Sequence, residues 1–138
     1  MSRKTITIQS PEALKIQKEL EKKTDPDSKR MLRFLNMPDL SRTPGSPLAD
    51  IVDRVLKVKS LEEFDVIEVP EIISTHVLFD LFNMPPGHPA RSKSDTYYVS
   101  NDYVLRTHDT VFWYYYLQHP AVKERMENGE TLGAICYG

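Results

Sequence analysis

The sequence predicts an α+β fold, and three observations support this class. Apolar residues recur at helical spacing in the first third of the chain and again after Pro47, each time behind a helix-start signal. The run from Phe64 to Val69 is β-branched and aromatic and ends at Pro70, which cannot continue a hydrogen-bonded ladder. Two β-rich runs, Thr96 to Val99 and Tyr103 to Arg106, are separated by three turn-forming residues and predict an antiparallel hairpin.

Length and composition predict one domain in the cytoplasm. The 138 residues, 40% of them apolar, suffice for one modest core. The longest apolar run, Val111 to Leu117, has seven residues, so no membrane-crossing segment is expected. No apolar segment follows the basic amino end, which argues against a secretory signal. Cys136 is the only cysteine, which excludes an internal disulfide and a cysteine-rich zinc site.

The net charge of -2 hides an asymmetry between the two ends of the chain. Residues 1–35 hold nine Lys or Arg and five Asp or Glu, whereas the remainder holds nine and fifteen. A basic helical front can contact an RNA backbone, but the solvated face of an ordinary surface helix has the same composition. The solvated face is the plainer interpretation, and RNA contact stays open.

The first third predicts a short strand and two surface helices. Thr5 to Gln9 alternates as a strand does, and Ser10 followed by Pro11 is typical of a helix start. A second helix is predicted from Ser28 to Asn36. The segment from Met37 to Pro47 holds three prolines and a glycine, the composition of a linker. We therefore predict a helical extension and linker over residues 1–46 and a core over residues 47–138.

The helix that begins at Pro47 carries a wide apolar stripe, which needs a large partner surface. That surface is either the chain's own sheet or a second subunit. After Pro70, the apolar spacing from Glu71 to Phe82 predicts another helix.

The last third predicts an aromatic segment, a helix and a strand. The bulk of Val111 to Leu117 favours a buried segment. A base-stacking platform is the alternative, but such platforms interleave Lys and Arg, and this run has neither. Pro120 starts a helix that Asn128 and Gly129 end, and Thr131 to Gly138 is a strand.

The most informative stretch runs from Asn83 to Thr110. Its prolines cannot belong to a helix interior or a ladder, so they predict a rigid, shaped loop. The pattern N-x-P-x-x-H-P-A-R, then D-T, then L-R-T-H resembles the α-subunit family of phenylalanyl-tRNA synthetases, which are class II enzymes. The residues that carry this resemblance are Asn83, Pro85, His88, Pro89, Ala90, Arg91, Asp95, Thr96, Leu105, Arg106, Thr107 and His108. A weaker similarity extends from about Pro44 to Gly138.

The resemblance implies the front half of a class II catalytic core, whose sheet is antiparallel and flanked by helices. It makes Pro70 the proline of motif 1, with Ile51 and Val55 at a subunit interface. It places His108, Thr110 and Trp113 beside bound phenylalanine, and it gives no catalytic residue and no metal ligand. The sequence departs from the family pattern at Ser94, Asp109, Thr110 and Trp113. His88, Arg91, Asp95, Thr96, Arg106 and Thr107 become the scaffold of the site.

Plainer interpretations of the scaffold residues come from their chemistry. Arg91 and Arg106 can bind a phosphate or carboxylate, but a buried ion pair with Asp95 is favoured. His88 is favoured as a residue that holds the loop through the backbone rather than as a catalyst. His76, His108 and Cys136 lack metal-ligand spacing. A hydrolase site at His108 and Asp109 is disfavoured because no activated nucleophile accompanies them.

For the complete protein, the resemblance implies ATP-dependent phenylalanine–tRNA ligase activity in protein biosynthesis, with Mg, phenylalanine and tRNA. Motif 1 implies an oligomer; a β-subunit partner and a single-chain enzyme both remain open. The 138 residues contain no segment resembling motif 2 or motif 3, whose arginines hold ATP, so we expect this chain alone to bind no nucleotide and to be inactive. The alternative is a stand-alone module that binds tRNA or a protein partner without catalysis.

Overall fold

Helices and short strands alternate along the chain in the computed structural model, which describes residues 3–138. The helices are α1 (Pro11–Glu21), α2 (Pro26–Leu35), α3 (Pro47–Leu56), α4 (Thr75–Leu78), α5 (Phe112–Gln118) and α6 (Pro120–Glu127). The strands are β1 (Thr5–Thr7), β2 (Asp65–Glu68), β3 (Ile72–Ser74), β4 (Tyr103–Leu105) and β5 (Ala134–Cys136). The predicted α+β class is confirmed.

The described chain divides into two compact units. The first unit comprises residues 3–8, 38–69 and 112–138, and the second comprises residues 9–37 and 70–111. Each unit draws on residues from both sides of position 46, so the predicted boundary there stays a prediction.

The first unit contains a three-stranded sheet in the order β1-β2-β5. Both strand pairs are parallel: Ile6 aligns with Ile67, and Ile67 aligns with Cys136. The antiparallel arrangement that we predicted is therefore wrong for this sheet. Parallel neighbours need long connections, and helices lie in the connections on both sides of β2.

One glycine lets the backbone of this unit approach an aromatic ring. A Cβ atom at Gly133 would lie 2.6 Å from the Phe64 ring, closer than packing allows. Beside this contact, the amide of Asp65 donates to the carbonyl of Gly133 at 2.9 Å, which joins β2 to the residue before β5.

The second unit packs α1 and α2 over a small apolar cluster and adds an antiparallel strand pair. Leu20, Met31 and Val99 form the buried cluster. In the strand pair, Ile73 of β3 aligns with Val104 of β4, and both side chains are buried. This strand pair is antiparallel, in contrast to the parallel sheet of the first unit.

Local capping explains where the first two helices begin. The Ser10 hydroxyl accepts a hydrogen bond from the Ala13 amide at 3.1 Å, which confirms the predicted start of α1. Asp25 caps α2 by accepting from the Ser28 amide at 2.9 Å. Helix α2 therefore begins at Pro26, two residues before the predicted start, because proline is compatible with the first helical position.

The predicted helix over Glu71 to Phe82 is wrong in its first part. Ile72 to Ser74 form β3, and only the short α4 and a single 3₁₀ turn, Asp80–Phe82, follow. Ile72 and Ile73 are β-branched and buried, and pairing with β4 satisfies their backbone groups. Tertiary pairing therefore outweighs the apolar spacing.

Two further expectations need correction. The predicted hairpin is present, but its first arm is reduced to a bridge between Tyr98 and Val104, and β3 is the main partner of β4. The aromatic run forms a 3₁₀ turn and then α5 rather than one buried segment. Val111 and Tyr116 are buried, whereas Trp113 is 41% exposed, because a helix turns consecutive residues towards different sides.

Candidate functional site

The loop from Asn83 to Arg91 is held by hydrogen bonds, and its first residue has an unusual backbone conformation. Asn83 adopts a left-handed conformation with φ of 57°, which asparagine tolerates better than most residues. The His88 amide donates to the Pro85 carbonyl at 2.8 Å. His88 Nδ1 then accepts from the Ala90 amide at 3.1 Å and caps the 3₁₀ turn Pro89–Arg91. The loop has a fixed shape, as its prolines require.

Arg91 fastens this loop to the turn that precedes it. One guanidinium nitrogen, Nη1, donates to Asp80 Oδ1 at 2.7 Å and to the Met84 carbonyl at 2.8 Å. The hydrogen bond from Arg91 is the main cause that lowers the pKa of Asp80 below its ordinary value. The ion pair of Arg91 that we predicted with Asp95 is wrong, because Asp80 takes that place.

Thr96 and Tyr98 fasten the other end of the loop. The buried Thr96 hydroxyl donates to the Ala90 carbonyl at 2.6 Å, and the Tyr98 hydroxyl donates to the Arg91 carbonyl at 2.5 Å. Asp95 itself is exposed and accepts a hydrogen bond from the Ser92 hydroxyl at 3.3 Å. The hydrogen bonds from Thr96 and Tyr98 therefore hold the loop in place, the role that we had predicted for an ion pair with Asp95.

Arg106 secures the segment after β4. Its Nε lies 3.2 Å from Asp109 Oδ1, and its Nη1 donates to the Pro70 carbonyl at 3.5 Å. The Arg106 amide also donates to the Glu71 carbonyl at 2.7 Å. The salt bridge to Asp109 again differs from the predicted partner, Asp95. Thr107, the next residue, is exposed.

His108 and Thr110 form a hydrogen-bonded pair at the end of this segment. His108 Nε2 lies 3.0 Å from the Leu78 carbonyl, and Nδ1 lies 2.6 Å from the Thr110 hydroxyl oxygen. A carbonyl only accepts, so Nε2 carries the proton and the imidazole is the Nε2–H tautomer. In the neutral ring, Nδ1 must then accept from the Thr110 hydroxyl. Both ring nitrogens are occupied, and the Thr110 oxygen keeps its lone pairs for another donor.

Trp113, the third predicted phenylalanine-binding residue, lies on α5 in the first unit. Its ring centroid is 4.5 Å from that of Phe112 and 6.0 Å from that of Tyr116. Its partial exposure leaves part of the indole open to solvent. The assignment of Trp113 to an amino-acid pocket stays a prediction.

The predicted interface residues show contrasting exposure. Ile51 and Val55 on α3 are 56% and 39% exposed, and Leu48 and Val58 are exposed beside them in the sequence. None of the α3 residues is buried. Pro70 is partly buried and is the first residue of the second segment of the second unit.

The sequence did not reveal a buried ionic cluster in the first unit. Asp65 is fully buried and its Oδ2 accepts from the Tyr116 hydroxyl and from Arg125 Nη1, both at 2.7 Å. Its other oxygen accepts from the Lys4 amide at 3.1 Å. Arg125 Nε also donates to Glu130 Oε2 at 3.0 Å. The only sequence signal was an aspartate inside an apolar strand.

The cluster sets the protonation of its members. Burial by itself raises the pKa of Asp65, but hydrogen bonds from Tyr116 and Arg125 outweigh it and hold that pKa below the ordinary value. Burial is the main cause that raises the pKa of Tyr116, and its hydrogen bond to Asp65 raises it further. Asp65 is therefore ionised and Tyr116 protonated at neutral pH, which fits a donor–acceptor pair.

Two further findings concern membrane-spanning helices and metal sites among the described residues. No helix within residues 3–138 is long and apolar enough to cross a membrane. Within the same range, no three His, Cys, Asp or Glu side chains lie close enough together to hold a metal ion.

The proline loop and the segment from Arg106 to Thr110 match a known family. Residues 35–128 match the model of the tRNA synthetase class II core domain (F). The chain belongs to this family of class II synthetase core domains.

Three similar proteins carry the name of one kind of synthetase subunit. The phenylalanine–tRNA ligase alpha subunit of Mycoplasmoides gallisepticum is 40% identical over 78 residues, which are 55% of this chain and 23% of the relative. That of Desulfosudis oleivorans is 41% identical over 69 residues, 50% of this chain and 21% of the relative. That of Syntrophobacter fumaroxidans is 39% identical over 62 residues, 45% of this chain and 18% of the relative. The predicted resemblance is confirmed, and the matched part spans about a fifth of these relatives.

Proposed function

We propose that this chain supplies the amino-acid side of the catalytic core of a phenylalanine–tRNA ligase. The complete enzyme joins phenylalanine to ATP and passes the aminoacyl group to tRNA in the cytoplasm. Membership of the class II core family and the names of the relatives support this reaction class. The observation that carries the site is the hydrogen-bonded series Leu78, His108 and Thr110.

This series presents an oxygen acceptor to a cationic ligand. Thr110 uses its proton on His108, so its oxygen is oriented to accept, and the substrate's ammonium has three donors. The resemblance placed both His108 and Thr110 beside the bound phenylalanine. In this geometry, His108 orients the hydroxyl and Thr110 makes the contact. Preorganised acceptors of this kind cost little reorganisation on binding.

Calorimetric titration of the chain with phenylalanine tests this assignment. We expect Thr110→Val to weaken binding about 10- to 100-fold, because a hydrogen bond to a charged group contributes about 1.5–3 kcal/mol. Thr110→Ser keeps the hydroxyl and should retain the affinity. Thr131→Val, at an exposed threonine elsewhere, is the matched control.

Two results would contradict the assignment. Equal affinities for Thr110→Val and Thr131→Val would exclude a role for the hydroxyl. If the unsubstituted chain does not bind phenylalanine, the residues described here do not form an amino-acid site by themselves.

The nucleotide side is proposed to lie outside these residues. The described side chains do not form a Mg²⁺ cluster, and Arg91 and Arg106 are engaged with carboxylates and backbone carbonyls. With these contacts, the two arginines do not fit a phosphate-binding site. We expect no phenylalanine-dependent exchange of pyrophosphate into ATP by residues 1–138, and measurable exchange would overturn this part of the proposal.

The exposed apolar residues of α3 support the proposed role of motif 1 in oligomer formation. Leu48, Ile51 and Val55 lie on a helix with no buried residue. A second copy or a β subunit would cover them, and the relatives' designation as alpha subunits favours a partner chain. Sedimentation analysis should show self-association that Ile51→Glu abolishes. Leu14→Glu, at a comparably exposed leucine on α1, should leave it unchanged.

The alternative, a module that binds a partner without catalysis, is favoured by the same exposed residues. The two functions differ in the amino-acid titration: a binding module alone gives association through α3 but no saturable phenylalanine binding.

A further inference from the structure

Strand β1 is an edge strand, and one of its two sides is unpaired in the part of the chain that the structure describes. The Ile8 amide donates to the Glu68 carbonyl at 2.9 Å, and the Lys4 carbonyl accepts from β2 at 2.8 Å. Backbone groups of alternate strand residues point to opposite sides of a strand. The amides and carbonyls of Thr5 and Thr7 therefore face away from β2 and offer two donors and two acceptors.

The unpaired side of β1 is open to solvent and held in an extended conformation. Thr5 and Thr7 are exposed, whereas Ile6 between them is buried and fixes the strand on the core. An open strand edge of this kind is a template for a second extended chain, because ladder hydrogen bonds form with the backbone of any sequence.

A cavity of about 480 Å³ adjoins this edge and supplies selectivity for charge. Residues 4–7 form one wall, and residues at the start of α6, with His119 and Arg125 among them, form the other. Of the described residues that line the cavity, three are basic and none is a carboxylate. Arg125 is balanced by two carboxylates, whereas Lys4 is exposed and makes no ion pair with another described residue. The charge of Lys4 therefore favours an acidic group in the cavity.

We propose that β1 binds an extended acidic segment of a partner protein, which joins the sheet as an additional strand and places one Asp or Glu side chain in the cavity. The antiparallel orientation is favoured, because antiparallel pairing is more stable per residue than parallel pairing. A second copy of this chain fits less well, since its own β1 segment, residues 4–8, brings a lysine and no carboxylate.

This proposal goes beyond the proposed ligase function and does not depend on it. It also differs from the proposed interface on α3, which uses apolar side chains, whereas β1 uses backbone groups and one lysine. Ile51→Glu, which should abolish self-association, should therefore leave binding at β1 unchanged. The phenylalanine titration is likewise independent, because Thr110 lies in the other unit.

Fluorescence anisotropy with a labelled peptide, Ser-Thr-Val-Glu-Val-Thr-Ser, tests the proposal. We expect saturable binding, which should weaken about twofold to fivefold when Gln replaces the Glu of the peptide. Two N-methylated versions test the ladder, one methylated at its second and fourth residues and the other at its third and fifth. Because alternate amides point to opposite sides, one version should bind about tenfold more weakly and the other should bind like the parent peptide.

Variants of the chain test the same contacts from the other side. Thr7→Pro removes one outward amide and keeps the bonds to β2, since an edge strand tolerates proline, and it should weaken binding about fivefold. Thr7→Val keeps the amide and should bind like the unsubstituted chain. Lys4→Gln should weaken binding about twofold to fivefold and reduce its salt dependence. Lys123→Gln, at an exposed lysine of α6 outside the cavity, is the matched control.

Several results would overturn the proposal. They are the absence of saturable binding, equal affinities of the two N-methylated peptides, equal affinities of the Glu and Gln peptides, and equal affinities of Lys4→Gln and Lys123→Gln. Circular dichroism shows whether each variant keeps its fold. If Thr7→Pro does not fold, the N-methylated peptides still decide the question on the unsubstituted chain.

Discussion

Two aspartate–arginine pairs, one in each unit, have the same geometry and different surroundings. In the first unit, Arg125 Nη1 lies 2.7 Å from Asp65 Oδ2, and in the second, Arg91 Nη1 lies 2.7 Å from Asp80 Oδ1. The Asp65 side chain is 0% exposed and the Asp80 side chain is 47% exposed. Distance alone therefore does not show what an ion pair contributes to stability.

Burial decides the difference. Asp65 has lost its water and keeps its charge only because Tyr116, Arg125 and the Lys4 amide all donate to it. Removing Arg125 would leave the buried Asp65 charge without the guanidinium that balances it. Asp80 remains hydrated, so its pair with Arg91 is screened and positions a loop more than it stabilises the fold. The buried Asp65–Arg125 pair thus stabilises the interior of the first unit, whereas the exposed Asp80–Arg91 pair positions a loop of the candidate site in the second.

The largest effect is expected for Asp65→Asn. Losing the carboxylate removes the acceptor shared by Tyr116 and Arg125 and leaves Glu130 as the carboxylate partner of Arg125, so the free energy of unfolding should fall by about 3 kcal/mol, the lower end of the cost of breaking a buried pair. Urea denaturation at pH 7 measures this change. Asp95→Asn, at an exposed aspartate, should stay within about 0.5 kcal/mol. A similar loss for both variants would contradict the contrast between buried and exposed aspartates.

A smaller loss is expected for Tyr116→Phe. This change removes one hydrogen bond to a charged group but leaves Arg125 on Asp65, so unfolding should become easier by about 1.5–3 kcal/mol. The same denaturation experiment applies, with Tyr114→Phe on the same helix as control. An effect as large as that of Asp65→Asn would show that the hydroxyl, rather than the ion pair, holds the cluster together.

The acid dependence of stability should come from the same carboxylate. The pKa of Asp65 is lower in the folded chain than in the unfolded chain, so its contribution is present above the unfolded value of about 4 and is lost as the pH falls through the folded value. Stability measured between neutral pH and about pH 2 should therefore decline on acidification, and Asp65→Asn should flatten this decline. An unchanged slope in the variant would assign the acid sensitivity to other carboxylates.

The smallest effect is expected for Asp80→Asn. Because the Asp80 carboxylate is exposed, the melting temperature should change little, and any change should disappear in high salt. Arg91 also donates to the Met84 carbonyl, so the loop keeps one fastening. A large loss of stability that salt does not alter would mean that the two pairs are equivalent.

Part of the candidate site could be predicted from the sequence. The order of His108 and Thr110, two residues apart, and the stiffness of the proline loop follow from the residues themselves. The hydrogen-bond partner of His108 Nε2 could not be predicted. It is the backbone carbonyl of Leu78, thirty positions earlier, and every residue type supplies a carbonyl. Asp95 was chosen as the partner of Arg91 and Arg106 for nearness in sequence, and the fold instead uses Asp80 and Asp109.

The sequence by itself determined the local elements: the capped start of α1, the start of α3 at Pro47, the strand before Pro70, and the helix that begins at Pro120 and ends before Gly129. Tertiary structure decided that β1, β2 and β5 run parallel, that Ile72–Ser74 join a strand pair, and that His108 is the Nε2–H tautomer. The reason is the range of the forces. Caps and proline restraints act within about one turn of chain, whereas strand pairing and hydrogen-bond partners depend on residues that only folding brings together.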